Sequence, residues 1–261
     1  MKSRLALTAV LMVLPVLPSA AGDFRITTKV FNAQDDKRPI SENLTLFHRG
    51  VVYDFLSQPK TVTIFHPPMG GAPGRFIVLD RSRSIKLEVT TDQTQGVLTK
   101  LKDWAAGQED EYLQFLAEPN FVEAFSAGEN TLTLSSDHMN YKLRVTKPSD
   151  DEALEAYRQF SDWYARFNAL NAGGGMLPFP RMAVNEALYR RKCIPTEVTL
   201  KVPAQKLEMR SEHLVTWRIS VQDRKLIEEA LEQMGSFLKV GPEEFLHGRT
   251  ERVANASPAA E

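Results

Sequence analysis

The first part of the chain alternates hydrophobic and polar positions with a period of two, which is typical of strands with one buried face. Phe24, Ile26, Thr28 and Val30 show this pattern most clearly. The run His48-Arg49-Gly50 predicts a tight hairpin, because glycine adopts positive φ without strain. The whole pattern predicts an antiparallel meander with strands over Phe24–Val30, Leu44–Phe47, Val51–Leu56, Thr61–Phe65, Arg75–Asp80 and Ile85–Thr91.

Two of these strands carry hydrophobic residues at consecutive positions. Val51-Val52-Tyr53 and Phe76-Ile77-Val78-Leu79 place apolar side chains on both faces of the sheet, because successive side chains of a strand point to opposite faces. Each face therefore needs a cover. Helices can cover one face, and the other must curl on itself, take a helix into its hollow or bind an apolar molecule.

Helical spacing and strands alternate in the rest of the chain. Ser149 and Glu152 predict a capping box before a helix with an aromatic stripe, and the stripe is typical of ordinary core or of a ligand groove. Its members are Tyr157, Phe160, Tyr164 and Phe167. Further helices are predicted around Val97–Ala105, Tyr112–Leu116, Met182–Lys192 and Asp223–Phe237, and further strands over Phe121–Phe125, Thr131–Ser135, Met139–Thr146, Glu197–Val202 and Leu207–Val221.

Strands in consecutive runs favour an antiparallel sheet over a doubly wound nucleotide-binding one. The predicted fold class is therefore α+β, with a curved, mostly antiparallel β-meander or half-barrel and helices packed on it. No repeat period is visible, and no linker divides the chain. We expect a signal peptide over 1–21, a single α+β domain over 22–247 and a flexible tail over 248–261.

The N-terminus has the parts of a secretory signal peptide. Lys2 and Arg4 precede an apolar stretch over Leu5–Leu17, and small residues follow it. The stretch is shorter than the roughly 20 residues that a transmembrane helix needs, and no later apolar run approaches that length. We expect cleavage near Ala21 or Gly22 and an extracytoplasmic protein, periplasmic or secreted, with no transmembrane segment in the mature chain.

Charge and cysteine content narrow the choice of partners. The chain has 32 basic and 33 acidic residues, and removal of Lys2 and Arg4 would leave 30 basic residues and a formal charge of −3. Nucleic acid is not an expected partner, because its phosphates require a clustered basic surface. Cys193 is the only cysteine, so the chain cannot form an internal disulfide, and a small buried side chain is its expected role.

No motif points to a specific chemistry. The five histidines are scattered, and none stands at the helical spacing that builds a zinc site. Nucleophile elbow, Walker A, dinucleotide-binding and C-x-x-C sequences are all absent. The sequence therefore predicts no catalytic residue, no metal ligand and no cofactor, and His213 is expected to be a hydrogen-bonded, partly buried histidine.

The run from Asn43 to Thr91 has a characteristic order of short strands: Leu-Thr-Leu-Phe, Val-Val-Tyr-Asp-Phe-Leu, Thr-Val-Thr-Ile-Phe, Arg-Phe-Ile-Val-Leu-Asp and Ile-Lys-Leu-Glu-Val. It resembles the half-barrel of exported lipoprotein-carrier-like proteins of the Lol type. The resemblance implies an incomplete barrel that closes over a helix and holds acyl chains. It carries over no residue role.

We therefore expect a non-catalytic binding or envelope-associated protein whose partner is an apolar small molecule or an envelope protein. The candidate ligand-binding residues are four strand aromatics, which fit an ordinary core as well: Phe47, Tyr53, Phe55 and Phe65.

Two alternatives remain open. A hydrolase would require acid and base groups that meet only in the fold, drawn from Asp54, Asp80 or Glu88 with His66. A structural partner in an extracytoplasmic complex would require an exposed apolar patch larger than a monomer normally shows.

Overall fold

The computed structural model describes residues 22–32, 37–171 and 176–246. The strands within these residues are β1 (Phe24–Asn32), β2 (Ser41–His48), β3 (Val51–Leu56), β4 (Thr61–His66), β5 (Arg75–Asp80), β6 (Ile85–Thr90), β7 (Val122–Ser126), β8 (Thr131–Ser135), β9 (Asn140–Thr146), β10 (Ile194–Val202), β11 (Leu207–Thr216) and β12 (Leu238–Lys239). The longer helices are α1 (Thr91–Ala106), α2 (Glu111–Ala117), α3 (Asp151–Asn171), α4 (Phe179–Arg190) and α5 (Val221–Ser236).

All these strands form one open, curved sheet in the spatial order β12-β6-β5-β4-β3-β2-β1-β11-β10-β9-β8-β7. Two meanders, β1 to β6 and β7 to β11, join where β1 pairs with β11. Neighbouring strands are antiparallel, except that the short β12 runs parallel to β6. The predicted α+β class with a curved, mostly antiparallel sheet is confirmed.

The hairpin between β2 and β3 forms where the sequence predicts it. Arg49 and Gly50 make a two-residue turn, with φ of 51° and 74°. Two positive φ angles give the twist that matches antiparallel strands, and glycine accepts its angle without strain. The turn sets the register in which Phe47 lies opposite Val52.

One row of large side chains crosses the first meander. Phe24, Phe47, Val52, Phe65 and Phe76 lie opposite one another on successive strands. We call the side of β1 to β6 that carries this row the α3 face, because α3 packs on it through ring contacts from two of its phenylalanines. These contacts are Phe47 to Phe160, with ring centroids 5.7 Å apart, and Phe76 to Phe167, with centroids 4.3 Å apart.

The opposite side, which we call the α5 face, carries the neighbouring row Leu46, Tyr53, Ile64 and Ile77. Helix α5 packs on this row through Ile227 and other small or aliphatic side chains. Both faces of the first meander are thus covered, as its consecutive apolar residues predict.

The second meander is covered differently. In β9, Tyr141 and Leu143 are buried against α2 and α4, whereas the alternate residues Lys142 and Arg144 are exposed. One face of this half therefore holds a core, and the other carries charged side chains.

Two of the predicted boundaries are displaced by helix caps. The cap of α3 is Asp150 and not Ser149, because the Asp150 carboxylate accepts the backbone N–H of Ala153 at 2.7 Å. The strand predicted to reach Val221 ends at Thr216. It stops because Ser220 and Asp223 form a capping box that starts α5 at Val221.

The predicted signal peptide over 1–21 and tail over 248–261 lie outside the described residues, so that division of the chain stays a prediction. Among the residues that are described, no helix has both the length and the apolar character needed to cross a membrane.

Candidate functional site

Two cavities lie between α3 and the sheet. The first, cavity 1, has a volume of about 420 Å³. The sheet lines it with Phe24, Phe47, Val52 and Phe65, and α3 contributes Ala156. Since these side chains carry no polar group, the interior of cavity 1 suits an apolar molecule.

Polar and charged groups surround the apolar walls of cavity 1. His48 at the end of β2 contacts Asp23, with Nδ1 and Oδ2 2.8 Å apart. Arg49 lines the hairpin side, and Glu152 and Glu155 line the side of α3. The site thus combines an aromatic interior with a charged rim.

The second, cavity 2, has a volume of about 520 Å³ and lies further along α3, next to Tyr157, Phe160 and Tyr164. Phe47 lines both cavities. Cavity 2 is more polar, because the next in-register row of the α3 face contains Thr45 and Asp54.

Asp54 is the most deeply buried carboxyl group of this site, with 2% of its surface exposed. Its Oδ1 accepts hydrogen bonds from Asn43 Nδ2 at 2.6 Å and from Thr45 Oγ1 at 2.7 Å, and its Oδ2 accepts one from the Tyr164 hydroxyl at 2.8 Å. Burial raises the pKa of Asp54 above its usual value, while these donors act in the opposite direction by favouring the carboxylate. The network fixes the side chain in one orientation.

His213 of β11 forms another part of the wall of cavity 2. Its Nδ1 lies 3.0 Å from Thr28 Oγ1, and its Nε2 lies 2.9 Å from Ser211 Oγ. Burial, together with the positive charge of Arg181, lowers the pKa of His213 to about 3. The ring is therefore neutral at neutral pH, and the prediction of a hydrogen-bonded, partly buried histidine is confirmed.

Arg181, in the first turn of α4, brings a positive charge to cavity 2. Its guanidinium group donates a hydrogen bond to the hydroxyl of Tyr157. Burial raises the pKa of Tyr157, while the charge of Arg181 and this hydrogen bond act in the opposite direction. No carboxylate oxygen lies within 4.0 Å of this guanidinium in the described part of the chain.

The four aromatic residues predicted to line a ligand site divide between the two faces. Phe47 lines both cavities and Phe65 lines cavity 1. Tyr53 and Phe55 pack with the cluster on the α5 face. The structure therefore brings only Phe47 and Phe65 together at a cavity.

The structure does not bring together the residues that the hydrolase alternative requires. Asp80 binds Arg83 at 2.8 Å, and Glu88 binds Lys239 at 2.7 Å. His66 follows Phe65, so it points to the α5 face, whereas Asp54 belongs to the α3 face. Its Nε2 atom is buried, with no hydrogen-bond partner among the described residues.

Several residues of cavity 2 were missed by the sequence analysis. Asn43, Thr45 and Phe47 are alternate residues of β2, so their side chains point to the same face. This alternation alone indicates that the α3 face has a polar end. Ser211 and Arg181 gave no such signal, because they reach the cavity from β11 and α4 only through the tertiary fold.

Cys193 is buried as expected, and its thiol contacts the Leu188 carbonyl at 3.5 Å. Burial raises the pKa of the Cys193 thiol to about 11. No group of three or more His, Cys, Asp or Glu side chains able to hold a metal ion occurs within 22–32, 37–171 and 176–246.

No protein-family model matches the chain, and no curated protein matches it.

Proposed function

We propose that the protein is a non-catalytic, extracytoplasmic binding protein that holds an apolar or lipid-like molecule between α3 and the sheet. The observation that carries the proposal is cavity 1, a space of about 420 Å³ walled by Phe24, Phe47, Val52 and Phe65. An apolar space of this size falls within the range of small-molecule sites.

The packing of α3 supports this function. The helix touches the aromatic row through Phe160 and Phe167, whereas Ala156 offers only a methyl group at cavity 1. The helix therefore contacts the sheet closely at Phe160 and Phe167 and leaves space beside Ala156. An apolar ligand in this space would add the contacts with the sheet that Ala156 does not make.

A neutral fluorescent dye, N-phenyl-1-naphthylamine, tests the proposal. We expect the wild-type protein to bind the dye and Ala156→Trp to weaken binding about tenfold or more, because the indole occupies cavity 1. Ala106→Trp is the matched control, since Ala106 is exposed at the end of α1. This control is expected to bind as the wild type does.

The cooperative thermal unfolding of each variant shows whether it folds. If Ala156→Trp does not fold, Val52→Phe narrows the same cavity from the α3 face of β3 and is expected to weaken binding too. A wild-type protein that does not bind the dye, or a folded Ala156→Trp variant that binds it unchanged, contradicts the proposal.

A further inference from the structure

The α3 face changes from apolar to polar along the length of its strands. The row that contains Phe47 and Val52 is aromatic and aliphatic, and it borders cavity 1. The next row on the same face pairs Thr45 with Asp54, and beyond it Thr28 lies opposite Asn43. One continuous face therefore offers an apolar surface at one cavity and hydrogen-bonding groups at the other.

The polar groups of cavity 2 differ in the hydrogen-bond and ion-pair partners that the protein gives them. Both oxygens of Asp54 accept hydrogen bonds from the protein, from Asn43, Thr45 and Tyr164. His213 is held by hydroxyl groups on both ring nitrogens. These groups have partners and form the wall.

Arg181 hydrogen-bonds the neutral hydroxyl of Tyr157, but its positive charge has no carboxylate partner among the described residues. Arg25 and Arg83 each bind a carboxylate at 2.8 Å, whereas the described residues provide Arg181 with no such partner within 4.0 Å. A guanidinium group in a partly desolvated cavity is stabilised strongly by an anion that accepts two of its N–H groups. A ligand that carries an anionic group would supply the partner that Arg181 lacks.

We propose that the ligand is an amphiphile with an anionic headgroup, a carboxylate or a phosphate, that binds Arg181 in cavity 2 while its apolar chain occupies cavity 1. This inference rests on the proposed function, since it assigns the chemical class of ligand to the same site. Phe47, which lines both cavities, lies between the headgroup and the chain.

Four probes with the same twelve-carbon chain test the headgroup: dodecanoate, dodecyl phosphate, dodecanol and dodecyltrimethylammonium. Each is titrated below its micelle concentration as a competitor of the naphthylamine dye. We expect dodecanoate or dodecyl phosphate to bind about tenfold or more tightly than dodecanol, and the ammonium probe to bind most weakly. The tighter of the two anions identifies the carboxylate or the phosphate as the preferred headgroup.

The variant Arg181→Gln is expected to remove this preference, so that dodecanoate and dodecyl phosphate bind no more tightly than dodecanol. Arg224→Gln is the matched control, because Arg224 is exposed on α5. Arg181→Lys keeps the charge and is expected to retain part of the preference. The ranking of the probes by the wild-type protein needs no variant, so the inference remains testable if Arg181→Gln does not fold.

Equal binding of dodecanol and both anions by the wild type overturns the inference and leaves the proposed function intact. Tightest binding of the ammonium probe, or an unchanged preference in folded Arg181→Gln, also overturns it. Failure of all four probes to displace the bound dye likewise overturns the inference, whereas failure of the wild type to bind the dye overturns the proposed function itself.

Discussion

The α3 face and the α5 face are built by alternate residues of the same strands, yet they bury different groups. On the α5 face, Ile64 and Ile77 meet Ile227 of α5, and the side chains at this contact are almost fully buried. On the α3 face, stacked aromatic rings alternate with two cavities, and a buried carboxyl group, Asp54, replaces an apolar side chain.

The two faces of this sheet differ in how their packing affects stability. Close aliphatic packing on the α5 face stabilises the fold, because buried apolar area and dispersion contacts are the main favourable contributions. Incomplete packing and buried polar groups on the α3 face lower stability, because voids lose contacts and desolvated polar groups require partners. We infer that the α5 face maintains the fold while the α3 face provides the binding space.

Replacing an isoleucine by alanine on each face is expected to give the largest difference in unfolding free energy between the two faces. Ile64→Ala on the α5 face is expected to lower the free energy of unfolding by about 4 kcal/mol and to leave dye binding unchanged. Ile26→Ala, at the wall of cavity 2, is expected to lower it by about 2 kcal/mol, because Ile26 already borders empty space. Denaturant unfolding and dye titration measure both quantities. A larger loss of unfolding free energy in Ile26→Ala than in Ile64→Ala would contradict the proposed difference between the two faces.

The pH dependence of stability provides a test of intermediate size. Because the pKa of His213 is about 3 in the folded protein and 6.5 in the unfolded chain, its contribution is fully present above pH 6.5 and is lost as the pH falls towards 3. At pH 5 the loss is about 2 kcal/mol. We expect His213→Gln to reduce the fall in unfolding free energy between pH 7.5 and pH 5 by that amount. An unchanged fall contradicts the buried, neutral state of His213.

The pH dependence that Asp54 contributes has the opposite sign to that of His213. A pKa raised by burial means that Asp54 contributes stability at low pH, which is lost as the pH rises through its folded pKa. The stability of Asp54→Asn relative to the wild type is therefore expected to increase from pH 4 to pH 8. Because the amide keeps one oxygen acceptor, we expect cooperative unfolding to persist. A relative stability that falls over this range would show that the hydrogen bonds outweigh burial.

Much of the fold could be predicted from the sequence, because local pattern and global structure agree in the first meander. Alternation located β1 to β6, and the consecutive apolar residues of β3 and β5 correctly indicated a sheet covered on both faces. The strand at Leu207 ends at Thr216, earlier than its alternation predicts, because the alternation of apolar residues continues to Val221 beyond the end of β11.

The candidate site could be predicted only in part. Parity within a strand shows that Tyr53 and Phe55 point the same way, but the register between strands decides whether they join Phe47. Arg181 reaches cavity 2 because α4 packs near α3, and no spacing in the sequence encodes that contact.

We have proposed that the space between α3 and the sheet holds an amphiphile. Mass spectrometry of an organic extract of the protein, purified without detergent from the cells that make it, would detect such a ligand without any added probe. We predict about one anionic amphiphile per chain in the wild type and a marked loss of it in Ala156→Trp. An extract without any amphiphile, or with equal amounts in both proteins, would show that this space does not bind one.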